Sequence, residues 1–272
     1  MRTNMHTHSV FCDGRDTPEE MVLSAIEQGF DILGFSGHGY SPYDDAAMAP
    51  DGMQEYIREI RRLQEKYRDR ITIYLGIEED KTNRIASKDP YDFVIGSVHF
   101  LEKDGEFRSV DYSEDVTFRM LEDWFHGSFI EYAEAYYREV SELASFEETD
   151  IIGHLDLLMK YNDKEKYIHF DDPDYLAIAK ACIDRIGDRR IYEVNTGAIA
   201  RGYRTNPYPD RHLLAYMKEK NLRIMLNSDC HDRTKLACGY AHSLKLLQEI
   251  GFSELWILKN GQFQPADINL FH

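Results

Sequence analysis

Short apolar runs recur along the chain, and each ends in a polar tip before a stretch with helical spacing. Residues 2–6 read as a first strand, followed by a polar loop over 8–15. Thr17-Pro18-Glu19-Glu20 is a helix start, with Thr as the cap, Pro at the first helical position and Glu three residues after the cap. That helix is expected to reach Gln28, with Gly29 at its left-handed end. Residues 31–36 read as a strand leading into Gly37-His38-Gly39. A helix near 52–67 carries Tyr56, Ile60, Leu63 and Tyr67 on one face, as packing residues. The β-branched run 71–77 is a buried strand ending at Glu78-Glu79-Asp80, and 93–98 is another, ending at His99. Residues 113–148 read as two helices broken near Gly127 and Ser128, with Phe118, Leu121, Trp124, Phe125, Tyr132, Tyr136, Val140 and Leu143 as core. A short strand over 150–153 delivers His154. Asp172-Pro173 opens a helix that Gly187 closes. The strand 190–194 leads to Asn195-Thr196-Gly197, Asp210 caps a helix over 212–220, and the strand 222–226 delivers Asp229 and His231. In the tail only 255–258 reads as a strand, and His272 is expected to be frayed.

The pattern is strand, polar tip, helix, and alternation of this kind implies a mainly parallel sheet. With 272 residues, 43% hydrophobic, the chain is long enough for one large core and is expected to form one domain over residues 1–272. Its net charge of −17 opposes binding to a polyanion, so nucleic acid is not expected as a partner, although bound divalent cations can reverse the field locally. The apolar runs are far too short to span a membrane, and the first residues carry no apolar signal-type segment, so the expected compartment is the cytoplasm. Cys12, Cys182, Cys230 and Cys238 lack CxxC spacing and read as thiols, not disulfides.

The chemistry sits at the tips. His6-Thr7-His8 places two imidazoles on one side of an extended segment. Alone it is equally a pair of surface histidines, but Asp229-Cys230-His231 is a second such pair at the far end of the chain. Of eleven histidines, six (His6, His8, His38, His99, His154 and His231) fall at expected strand ends. Singly, His38 fits a turn between two glycines, and His99 and His154 fit satisfied core histidines. Jointly they fit a metal site, because a barrel gathers all strand C-termini at one rim whereas an open sheet would spread them. Six imidazoles with Glu78, Asp229 and Asp13 exceed the roughly four ligands of one zinc ion. Two to three divalent ions are therefore expected, with Glu78 as the bridge, and zinc, iron and manganese all suit the donor set. Alternation turns Glu79 away from the rim, Asp80 is a lesser candidate, Cys230 is expected to pack, and Cys12 stays undecided.

Taken in order, His6-Thr7-His8-Ser9, Gly37-His38, Gly76-Ile77-Glu78, Ser97-Val98-His99, Gly153-His154 and Ser228-Asp229-Cys230-His231 resemble the successive motifs of the polymerase and histidinol phosphatase (PHP) family, and within it those of the stand-alone histidinol-phosphate phosphatases. The resemblance runs from residue 4 to about residue 240. It implies an α/β fold, a distorted TIM-like (β/α)7 barrel, with a trinuclear centre. By motif position, one ion would take His6, His8, Glu78 and Asp229, a second Glu78, His99 and His154, and a third Asp13, His38 and His231. Some relatives carry a histidine where this chain has Asp13, which bears on the third ion.

Phosphate monoesters resist attack so strongly that enzymes accelerate their hydrolysis by up to ~10²¹-fold. The expected reaction is in-line attack by metal-bound hydroxide without a phosphoenzyme, and Asp229, His231 and Glu78 are the candidate catalytic residues. Arg201 and Arg204 follow the Asn195-Thr196-Gly197 tip, and Lys160 follows His154. The resemblance assigns Arg201 and Lys160 to the phosphate, with Arg204 as the alternate and surface charge as the competing reading for each. The small-molecule phosphate monoester expected first is L-histidinol phosphate, cleaved to L-histidinol and phosphate in histidine biosynthesis; its cationic groups suit an acidic protein. Another small phosphate ester or phosphotyrosine is the second reading, and a non-catalytic metal-binding module the third. The sequence leaves the oligomeric state open.

Overall fold

The computed structural model describes residues 1–85 and 87–272. In chain order the strands are β1 (Thr3–Asn4), β2 (Ile32–Phe35), β3 (Thr72–Asp80), β4 (Phe93–Ser97), β5 (Phe100–Lys103), β6 (Glu106–Ser109), β7 (Ile151–Ile152), β8 (Ile191–Asn195), β9 (Ile224–Asn227), β10 (Glu254–Lys259) and β11 (Gln262–Asp267). The helices are α1 (Pro18–Glu27), α2 (Pro50–Tyr67), α3 (Glu114–Phe125), α4 (Phe129–Glu142), α5 (Pro173–Ile186), α6 (Gly197–Arg201), α7 (Arg211–Glu219) and α8 (Tyr240–Ile250). Seven strands pair in the order β1-β2-β3-β4-β7-β8-β9, every neighbour parallel. The ring closes through rim residues rather than a full ladder: Thr7 bridges Cys230, the His8 N–H donates to the Cys230 carbonyl at 2.8 Å, and the Cys230 N–H donates to the His6 carbonyl at 3.1 Å. This is the distorted (β/α)7 barrel that the family resemblance implies, with the parallel sheet expected from the chain's alternation.

Side chains along the strands alternate between two cores, because successive residues of a strand point to opposite faces. Ile32, Tyr74, Phe93, Ile95, Ile151, Ile191 and Met225 fill the barrel interior. Their neighbours, such as Leu33, Ile73, Leu75, Val94, Ile152, Tyr192 and Leu226, pack outward under the helices. Gly76 makes the inner layer feasible, since a Cβ there would lie 2.2 Å from the Phe93 ring. Above the apolar layer the same inward register carries Glu78 on β3 and Glu193 on β8, so the period that builds the core also aims polar groups into the rim.

Several elements depart from expectation. β1 is only two residues long, because the segment leaves regular pairing at the rim. β3 continues through Asp80, so Glu78 lies inside the strand instead of beyond its end. The β5–β6 hairpin, α6, α8 and β11 were not anticipated. β10 and β11 form a hairpin that packs Leu258, Trp256 and Phe263 against the barrel-interior cluster. Phe118 is 46% exposed rather than core, since the buried face of α3 is formed by Thr117, Met120, Leu121 and Trp124. His272 is held rather than frayed, its carbonyl accepting from Arg2 Nε at 2.8 Å. As expected, Thr17 and Glu20 form a reciprocal cap on α1, and Tyr56, Ile60, Leu63 and Tyr67 are the buried residues of α2.

Candidate metal centre

The strand ends deliver imidazoles and carboxylates to one rim. His6 Nε2 lies 3.1 Å from Glu78 Oε2 and 3.7 Å from Asp229 Oδ1, while His8 Nε2 lies 3.5 Å and 3.3 Å from the same two atoms. Four donors each ~2.0–2.1 Å from a central zinc-sized ion would stand about 3.3 Å apart. The spacing therefore fits an ion. These donors are also otherwise idle: among the described residues, His6 Nε2, His8 Nε2 and Glu78 Oε2 are buried without a hydrogen-bond partner, a state that buried polar groups rarely tolerate.

Glu78 divides its two oxygens between neighbouring clusters. Oε2 faces His6, His8 and, at 3.1 Å, His38 Nδ1; Oε1 lies 3.0 Å from His154 Nε2 and 3.5 Å from His99 Nε2, and accepts from Ser97 Oγ at 2.6 Å. Burial pushes this carboxyl upward, but His6, His38 and His99 outweigh it and hold the group well below the usual carboxylate range. A third cluster sits toward solvent, where Asp13 Oδ2 is 3.0 Å from His231 Nε2 and Asp13 Oδ1 is 3.8 Å from His38 Nε2. Donor atoms of His8, Asp13, His38 and His231 all lie within 4.8 Å of one another, as do those of His38, Glu78 and His99. His38 thus faces two clusters and His8 two, whereas the assignment by motif position shares only Glu78 and gives each histidine a single ion.

The remaining expected residues separate. Arg201 Nη2 donates to Asp229 Oδ2 at 3.0 Å and Nη1 to the Asp229 carbonyl at 3.1 Å, and the side chain lines the cavity over the rim. Lys160 also lines it, but its ammonium is engaged by the Asp111 carbonyl at 2.7 Å and Asp111 Oδ2 at 3.0 Å. Arg204 is a correction: it is buried, 3.5 Å from Asp156 Oδ2 and beneath Tyr208, and does not line the cavity. Gly202, at φ 78°, ends α6 and turns the chain, so residues three apart point to different places. Glu79 faces away and accepts from the Ile85 N–H at 3.3 Å. Cys230 donates to the Asp232 carbonyl at 2.8 Å, and Cys12 packs beside Ser9 and His8.

Sequence reasoning missed the groups behind the imidazoles. Asp80 Oδ2 accepts from the His99 N–H at 2.6 Å and lies 3.3 Å from His99 Nδ1. Burial works against a charged His99, yet Glu78 and Asp80 raise it to about 9. Glu193 Oε1 is 2.7 Å from His6 Nδ1. Its signal was a lone acid inside the apolar run Ile191-Tyr192-Glu193-Val194.

A parallel barrel whose rim holds this nest of imidazoles and carboxylates belongs to the class of barrels with a metal-capable rim. The chain belongs to the PHP domain family, whose model matches residues 4–197. It is 28% identical over 87% of its length to a histidinol-phosphatase of Bacillus subtilis, 95% of which is covered. In fold it is similar to a Listeria monocytogenes crystal structure (TM-score 0.77, 24% identity, 89% of this chain and 99% of that one). It is likewise similar to a histidinol phosphate phosphatase of Lactococcus lactis, solved with zinc, L-histidinol and phosphate (TM-score 0.71, 23% identity, 97% and 98%). No helix is long and apolar enough to cross a membrane among the described residues.

Proposed function

We propose that this chain is a metal-dependent phosphatase that hydrolyses L-histidinol phosphate to L-histidinol and inorganic phosphate, with two to three divalent ions drawn from zinc, iron and manganese. The observation that carries the reading is the ion-spaced convergence of His6, His8, Glu78 and Asp229 beside the Arg201 guanidinium, with His6 Nε2, His8 Nε2 and Glu78 Oε2 lacking a hydrogen-bond partner among the described residues. Glu78 with His99, His154 and His38 would hold a second ion, and Asp13 with His38, His231 and His8 a third. Bound cations of this kind activate water near neutral pH and neutralise charge on phosphoryl oxygens. Glu78, Asp229 and His231 are then the candidate catalytic residues, as side chains that would hold these ions at the cavity floor. Arg201 orients the phosphoryl group with the N–H groups that Asp229 and His231 Nδ1 leave free. Lys160, with two contacts on Asp111, has one N–H left and contributes less.

The cavity measures about 470 Å³, within the ~300–1,000 Å³ of small-molecule sites. Its wall includes Asp44, Asp45 and Asp111, which suit an ester with cationic groups. The names of the Bacillus subtilis and Lactococcus lactis relatives make histidinol phosphate the first ester to test. Phosphate release from a panel of monoesters by metal-loaded protein, paired with elemental analysis, is expected to be fastest with histidinol phosphate. A tenfold or greater preference for another ester would replace the substrate assignment. No hydrolysis of any ester by protein with bound metal would point to a binding module instead.

A further inference from the structure

Glu193 is a fully buried carboxylate in the barrel interior, one inward position above Ile191. Its two oxygens meet four donors from the ends of four different strands. Oε1 accepts from His6 Nδ1 at 2.7 Å and from Asn227 Nδ2 at 3.0 Å. Oε2 accepts from the His154 N–H and from Asn195 Nδ2, both at 2.9 Å. A buried charge is costly unless its lone pairs are occupied, and here all the expected directions are used. No neutral side chain of this size accepts four hydrogen bonds and donates none.

The consequence falls on His6. A carboxylate can only accept, so the hydrogen of a neutral His6 ring sits on Nδ1, and the Nε2 lone pair points at Glu78 Oε2 and Asp229 Oδ1. His8, its partner in the same motif, has no such backing: its Nδ1 lies 3.5 Å from Cys12 Sγ and 3.5 Å from Asp13 Oδ1. The two imidazoles of the His-x-His pair are therefore held differently.

We propose that Glu193 is a positioning residue for the metal centre: by bonding His6 Nδ1 it fixes the tautomer that presents Nε2, and so tightens the hold on the ion shared by His6, His8, Glu78 and Asp229. The proposal rests on the reading of the rim as a metal site. Chelator-competition titration with zinc, read as affinity and as ions per chain, tests it on the wild type, Glu193→Gln, His6→Ala and the double variant. Glu193→Gln is expected to weaken one ion about 10–100-fold and to leave the others nearly unchanged. In the His6→Ala background the same substitution is expected to add less than about a further twofold, because the route through His6 is already gone. Unchanged zinc affinity in Glu193→Gln, or an equal loss in both backgrounds, overturns the inference. A wild type that takes up no metal overturns the rim reading and this inference together, whereas a loading wild type with an equally loading variant overturns this inference alone. Should Glu193→Gln fail to fold, NMR of the loaded wild type decides: a slowly exchanging Nδ1–H resonance, assigned by its loss in His6→Ala, is expected, and a His6 ring carrying its hydrogen on Nε2 overturns the proposal.

Discussion

At the scale of single residues, two arginines three positions apart have opposite tasks. Arg204 neutralises Asp156 inside the protein, and removing one partner of a buried pair costs ~3–5 kcal/mol. Arg204→Ala is thus expected to lower the denaturation midpoint while leaving KM near the wild-type value, measured by urea unfolding and steady-state kinetics. Arg201 contacts Asp229 and faces the cavity, so Arg201→Lys, which keeps charge but loses the planar fork, is expected to cut kcat/KM about tenfold or more. The reverse pattern would return the phosphate-binding role to Arg204. His99 lies between Glu78 and Asp80 at the rim. His99→Ala is expected to lower kcat by about 10²–10³-fold, the range for losing one electrostatic stabiliser, with circular dichroism unchanged; a variant of normal rate removes His99 from the site.

Among the elements, the β5–β6 hairpin and the loop after β2 meet where Tyr43 stacks on Phe107 with ring centroids 3.8 Å apart and planes 14° from parallel. Tyr43 lines the cavity, so this contact holds one of its wall residues in place. An aromatic pair is worth ~0.5–1.5 kcal/mol. Tyr43→Ala is accordingly expected to raise the rate on a phosphotyrosine peptide relative to a small ester, by up to about tenfold; an unchanged ratio shows that the stack does not govern access. Both hairpins carried a readable turn signal that the apolar pattern concealed. Asp104-Gly105 and Asn260-Gly261 occupy positive φ (54° and 82°, 53° and 72°), the geometry favoured between paired strands. The strands of the first hairpin, Phe-Leu-Glu-Lys and Glu-Phe-Arg-Ser, and β11 of the second are half polar and so lack the long apolar run that marks the barrel strands.

For the whole molecule, the barrel brings residues from 6 to 231 into one cluster, so cations held there would tie the first and last strands together. Ligand binding to the folded state stabilises it by ~2.7 kcal/mol at one hundred times Kd. Removal of metal by chelation is expected to lower the unfolding temperature and abolish phosphate release, with both restored on adding the ion back; a melting temperature indifferent to metal would separate the rim from the fold's stability. What the chain determined alone was local: the continuous apolar runs of the buried barrel strands, the caps of α1 and α5, and the placing of donor residues at strand tips, since hydrophobic runs and ligand chemistry are properties of neighbouring residues. Tertiary structure decided what depends on distance and direction. It set which imidazole shares which carboxylate, placed His38 against both Glu78 and Asp13, seated Glu193 behind His6, and sent Arg204 inward while Arg201 stayed at the rim. These pairings join segments separated by tens to hundreds of positions, and no local pattern encodes the angle at which two such segments meet.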